Sequence, residues 1–410
     1  MINKFLNINN ILLGLTILLP ISLLISTGVS ETIVISLSII FLIYSLTKNN
    51  FYWINNKYFY LLMLLWISLI INFIFSKNQE LALFRSFGFI KYIIYIFAIK
   101  YVINKNKNSG ILFVFLSFIV LLTTFDIYFE YIYKKNILGF QSSDESRIAS
   151  FLRKELKIAH FLLGFCLISI GYYFEKFKNK SYKFSIAGYI CLLLILISIF
   201  LTGERANSIK GLFCIFTFIL LAKNNFKYKN ILLTITIILP IIIYFSSERI
   251  KGRFDMYLSK KYGNENFLKT FKESHHGAHY YTAFEIFKSY PIFGVGNKNF
   301  REECSNEKYN NKSYNRINER CSTHPHQIYL ELISEHGAIG FIIITFVIFY
   351  SLIKSYLNFN KKKNLIQLGA ILFVTSTFMP LIPSGSFFTS FDATIFWFNY
   401  AVMLSYNKEY

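Results

Sequence analysis

Apolar runs of roughly twenty residues recur along nearly the whole chain, and that is about the length a membrane-crossing helix needs. In lipid each run must satisfy its own backbone hydrogen bonds, which for segments of this length means helix. About twelve runs qualify: 11–28, 31–47, 58–75, 86–103, 111–129, 157–175, 184–202, 207–222, 230–247, 326–353, 364–380 and 387–405. The predicted fold is all-α, a polytopic membrane protein. Of the 410 residues 54% are hydrophobic and only 16% charged, below the quarter usual in soluble domains, so a string of soluble domains is excluded. The fourth run is the weakest, because Arg85, Lys91 and Lys100 fall in or beside it. No small-residue cleavage site follows the first run, which therefore reads as a span and not as a removed signal peptide.

The formal net charge of +21 would ordinarily suggest nucleic acid. Here the charges sit in short loops between apolar runs, where membrane orientation and anionic lipid substrates explain them better. With Lys4 inside, alternate loops carry Lys48 and Lys57, Lys105 and Lys107, Lys176 to Lys183, Lys223 to Lys229, and Lys361 to Lys363; the opposite short loops 28–31 and 380–386 carry none. Positive charge inside then puts both termini in the cytoplasm of a bacterial inner membrane. The chain divides into spans one to nine (1–247), a large periplasmic loop (248–325) and spans ten to twelve (326–410). A loop of about 78 residues rarely lacks structure of its own. Tyr280 to Ser289 has helical periodicity and stops at Tyr290-Pro291, and Gly294-Val295-Gly296 then marks a turn.

Histidine is concentrated in and beside that loop: His275, His276, His279, His324 and His326 lie in it or at its end, and His336 follows. Their spacing matches no strong zinc pattern, so no metal or other cofactor is expected, and acid–base chemistry is the better reading. Pro325 suits the first turn of a helix, which would place His326 at a helix N-terminus near the membrane surface. Eleven residues at roughly 100° each would bring Gly337 nearly onto the His326 face, with Gly340 about one turn further. The glycines would let a neighbouring helix approach.

Arg205, in Thr202-Gly203-Glu204-Arg205, closes the seventh span, and a charge so near hydrocarbon marks a site. Its planar donors suit phosphate oxygens. Arg249 and Arg253 follow the ninth span directly, where cations also snorkel for purely structural reasons; Arg85 shares that ambiguity. Arg147, Arg153 and Lys154 make the smaller outer loop, 130–156, basic as well. Two basic outer loops converging on a histidine suggest an anionic lipid, such as a lipid diphosphate. Cys304 and Cys321 share one loop and would form a disulfide in an oxidising compartment.

The string His326-Gln327 followed by Gly337 and Gly340 resembles the histidine motif of the O-antigen ligases. Thr202 to Ala206 resembles their T-G-S-R-G/A string, with Glu204 where serine is common. Tyr290 to Phe300 resembles the P-x-x-G-x-G-x-x-x-F segment of the wider ligase and polymerase superfamily. The resemblance is best over about 190–350. It implies a glycosyltransferase of lipopolysaccharide biosynthesis that moves a glycan from polyprenyl diphosphate to lipid A–core oligosaccharide. His326 would be the base, Arg205 with Arg253 or Arg249 would grip the diphosphate, and displacement would be direct, metal-free and inverting. The family's usual arginine before P-x-x-G-x-G is missing; His276, His279 or Arg253 would stand in. A polymerase or a protein O-oligosaccharyltransferase of the same superfamily shares these features. A flippase of lipid-linked glycan would also have twelve spans, but no matched pair of Gly/Pro-broken spans is present.

Overall fold

The computed structural model describes residues 8–222, 228–258, 271–272 and 274–407. Lys4, Lys223 and Lys227, which helped set the expected orientation, lie outside them. The first helices are α1 (Ile8–Ile25), α2 (Thr27–Thr47), α3 (Lys57–Ile74), α4 (Gln79–Gly88), α5 (Ile90–Lys105) and α6 (Gly110–Tyr133). Next come α7 (Ile158–Lys176), α8 (Tyr182–Leu201), α9 (Arg205–Leu221), α10 (Lys229–Ser246) and α11 (Glu248–Leu258). The chain continues with α12 (His275–Ser289), the single turn α13 (Phe300–Glu303), α14 (Ile328–Lys362), α15 (Leu365–Thr377) and α16 (Ser390–Ser405). No strand occurs among the described residues.

Among those residues 9 stretches are long and apolar enough to cross a membrane, with α4 and α5 counted as one. The protein is thus an all-α, multi-pass membrane protein. The other three expected spans are the shorter helices α9, α15 and α16, with 17, 13 and 16 residues. Two of these are central. Every residue of α15 except Thr375 and Thr377 is buried, and every residue of α16 except Ser390 and Asp392. A short helix wrapped by longer ones need not reach both lipid surfaces itself. The fourth expected span divides at Phe89. Its first part, α4, turns Phe84 and Phe87 outward, and Arg85 is only partly exposed.

The loop expected at 248–325 contains α11, α12 and α13 and two short 3-10 turns. α12 starts five residues before the periodic stretch, because Ser274 caps it by accepting from Gly277 N at 3.0 Å.

α14 is not continuous, and this corrects the single-stripe expectation. Gly337, with φ 63° and ψ −170°, interrupts it. Pro291 to Gly296 lies against the break. Val295 N and Gly296 N donate to the carbonyls of Ser334 and Glu335 at 3.0 and 2.9 Å. Ala338 N and Ile339 N donate to Pro291 and Ile292 at 2.8 and 3.2 Å. Asn72 on α3 adds amide bonds to Phe293 O (2.6 Å) and Glu335 O (2.9 Å). A broken membrane helix is tolerable only when its freed backbone groups find such partners. A Cβ on Gly294 would fall 2.5 Å from the Glu335 backbone, and one on Gly337 2.3 Å from Ile292 O. At Gly296, also at positive φ, it would meet Ser76. Gly340 makes room for the His336 side chain of its own helix. The glycines therefore admit a loop and a ring, where a neighbouring helix was expected.

Candidate active site

His326 does not start a helix either. Its φ is +60°, and Gln327 is the N-cap of α14, with Oε1 accepting from Leu330 N at 2.9 Å. The left-handed turn is held from outside. Ser384 N donates to His326 O at 2.9 Å, and Tyr280 Oη donates to the same carbonyl at 3.4 Å. Such backbone strain in a non-glycine residue persists where its surroundings fix it, and gathers at active sites.

The turn aims His326 into a group of imidazoles. Its ring centroid lies 4.2 Å from His324, 5.2 Å from His279 and 5.6 Å from His276. The His275 ring lies 4.4 Å from His276, tilted by 47°. Thus α12 and the 322–327 turn, remote in sequence, build one cluster. His324 is fixed as a tautomer: Nε2 faces the Ser384 carbonyl at 3.2 Å and must carry the proton, so Nδ1 accepts from Thr323 Oγ1 at 3.0 Å. Ser322 Oγ lies 3.0 Å from His326 Nε2. Burial, then the neighbouring imidazoles, push His326 and His276 down to about 3; His279, chiefly through burial, falls to about 4. All three are neutral at physiological pH.

The arginines gather beside them. Arg205 opens α9, and its Nη1 donates to Arg253 O at 3.1 Å. Arg253 Nε reaches Gly203 O at 3.4 Å, and its Nη1 lies 3.9 Å from Asp144. Gly203, at φ +72°, packs so closely that a Cβ would sit 2.9 Å from Ser146 O. That contact brings Arg147 into the group. Arg147 Nη2 donates to Leu156 O, but Arg147 Nε and both Nε and Nη2 of Arg249 are buried without partners among the described residues. Arg205 is near enough for its charge to help hold His275 and His276 neutral. Arg205, joined to Arg253, thus lies within electrostatic reach of the His275–His276 end of the imidazole cluster. Guanidinium groups can bind an anion, and neutral imidazoles can accept a proton.

Several buried polar residues were given no site role by the sequence. Glu331 accepts from Ser386 Oγ and from Phe387 N (2.9 Å), tying α14 to the 380–389 loop. Glu335 accepts from Lys298 N at 2.7 Å and Phe300 N at 3.2 Å. Glu204 accepts from Ala159 N (2.9 Å) and Asn207 Nδ2 (2.7 Å), a positioning role. His160 Nε2 lies 3.5 Å from Asp392. Their signal was a carboxylate or imidazole inside an apolar run. Arg85 belongs to this deeper layer; its charge reaches His324, not the Arg205 group. The Cys304 and Cys321 sulfurs lie at disulfide distance, with Cα atoms 5.2 Å apart. Among the described residues no three or more His, Cys, Asp or Glu side chains are arranged to hold a metal ion.

All three motifs, with the broken helix and the imidazole cluster, lie between the end of α8 and the middle of α14. Residues 190–345 match the O-antigen ligase family. The match covers the segment in which the O-antigen ligase motifs were read, and supports membership of the ligase and polymerase superfamily. Comparison with curated proteins gave no match.

Proposed function

We propose that the protein is an O-antigen ligase of the inner membrane. It transfers a glycan from polyprenyl diphosphate to lipid A–core oligosaccharide on the periplasmic side, with both termini in the cytoplasm. The observation that carries this reading is the imidazole cluster around His326, whose His276 lies within electrostatic reach of Arg205, itself bonded to Arg253. The arginines, joined by Arg147 and Arg249, neutralise the diphosphate as it departs. Diphosphate is a good leaving group, so the remaining demand is to deprotonate the acceptor. An acceptor hydroxyl takes the place of Ser322 Oγ beside His326 Nε2, gives up its proton there and attacks the anomeric carbon from the face opposite the diphosphate. Configuration inverts in one step, with no glycosyl-enzyme. His276, His279 or Arg253 stands in for the arginine that the family usually carries before its P-x-x-G-x-G segment, and His324 holds the turn.

The free protein's imidazoles are weak bases, and weak bases are poor proton acceptors. A bound diphosphate reverses this, because a nearby negative charge favours imidazolium and raises the pKa. Donor binding thus prepares the base.

The test is purified protein in proteoliposomes with polyprenyl-diphosphate glycan and lipid A–core. Glycan appearing on lipid A–core supports the ligase. Longer glycan still on the polyprenyl carrier means a polymerase instead. Glycan on a supplied protein means a protein O-oligosaccharyltransferase, and donor crossing the bilayer unchanged means a flippase.

A further inference from the structure

A recess outside the imidazole cluster is lined by the 299–306 segment. It is a cleft of about 840 Å³ between the α3–α4 connection and the residues around α13. Two loops are clamped together to make it. Lys77 N donates to Val295 O at 3.0 Å, Asn78 N to Asn299 Oδ1 at 2.8 Å, and Asn299 Nδ2 back to Asn78 O at 3.1 Å. The volume suits a ligand of several rings, but ligand pockets of that size are mostly apolar, and this one is not. Its walls include Ser76, Gln79, Glu80, Glu302 and Asn306. Hydroxyls, amides and carboxylates without an apolar floor exclude a lipid chain.

Charge narrows the choice. Lys77 is the one cation in the lining, and its Nζ is engaged by Glu303 at 2.8 Å, which also meets Lys308 at 3.3 Å. Glu80 and Glu302 have no cation partner among the described residues; the Glu302 carboxylate accepts from Asn78 Nδ2 at 3.0 Å. The cleft is therefore negative, opposite in sign to the Arg205 group, and repels phosphate and acidic sugars. Arg301, next to the lining residue Glu302, links the cleft's wall to the histidine turn: its Nη2 donates to Thr323 O at 3.4 Å, three residues before His326.

We propose that this cleft binds the acceptor, as a chain of uncharged or amino sugars, and so delivers its hydroxyl to His326. The proposal rests on the reading of the protein as a glycan transferase. Donor and acceptor are then sorted by charge.

The test uses the full-length protein with polyprenyl-diphosphate glycan and lipid A–core, and measures KM for each substrate separately. Glu80→Arg with Glu302→Arg, both at the open side, is expected to raise the acceptor KM at least tenfold, leaving donor KM and kcat within threefold. Glu302→Gln, which keeps hydrogen-bonding capacity, is expected to change it less than threefold. An unchanged acceptor KM in the double variant overturns the proposal, as does a fall confined to kcat. Competition by a lysine-rich peptide but not by delipidated core oligosaccharide would also overturn it, showing a cationic peptide site. His326→Ala distinguishes the two claims: it lowers kcat if the base assignment holds, whatever the cleft variants do.

Discussion

At the scale of single residues, His326 combines features that a structural histidine does not need. It is left-handed, three other rings lie within 6 Å, and it faces a hydroxyl. Ser322→Ala should keep kcat within about threefold, because the acceptor hydroxyl replaces Ser322 there; general-base loss is instead worth about 10²–10⁴. Steady-state kinetics on the two variants separates those outcomes. The pH profile gives a second check. In the free protein His326 is held down to about 3, so kcat/KM for the donor should stay level as pH falls to about 4. In the donor complex the diphosphate raises the pKa, so kcat should begin to fall at higher pH. Two profiles both breaking near 6.5 would mean an ordinary exposed histidine. His326, Arg205 and Arg253 were singled out from residue type and position. Arg147 was read only as a loop charge, because nothing in sequence reveals that Gly203 presses its loop onto the arginines.

The decisive element is the interrupted helix. Both halves of α14 are apolar, so hydrophobic pattern alone reads straight through Gly337 and predicts one rod. The break depends on backbone pairing with Pro291 to Gly296, about forty residues away, and periodicity carries no information about such a partner. Gly337→Ala and Gly294→Ala should each be destabilising, since each puts a Cβ within 2.6 Å of backbone at positive φ. The conformational cost alone is about 1–3 kcal/mol, and thermal unfolding in detergent should show a lowered midpoint for both. Ala substituted at half-buried Gly14, where a Cβ meets nothing within 4 Å, is the control. Glu335→Ala should loosen the same junction, because it leaves Lys298 N and Phe300 N without the carboxylate that accepts from them. Gly340→Ala acts differently, by displacing His336.

Across the whole molecule, long helices surround the short buried α15 and α16, and α11 to α13 fill the 248–325 segment that leads into the His326 turn. The membrane class and the helical content of the 248–325 segment could be read from sequence, because apolar run length and periodicity are local properties. The span count was harder, since buried helices need not be full length. Closing a loop of 17 residues with a disulfide contributes on the order of 3 kcal/mol, and Cys321 stands immediately before Ser322. Cys304→Ser should therefore speed proteolysis of the 248–325 segment and lower activity while the helical bundle stays folded, as limited digestion with circular dichroism would show. The most direct test of the reaction centre is a single-turnover measurement of glycan transfer by wild type and His326→Ala at saturating donor and acceptor. The account predicts a rate at least a hundredfold lower in the variant, with donor affinity within threefold of wild type. Transfer at the wild-type rate would contradict it.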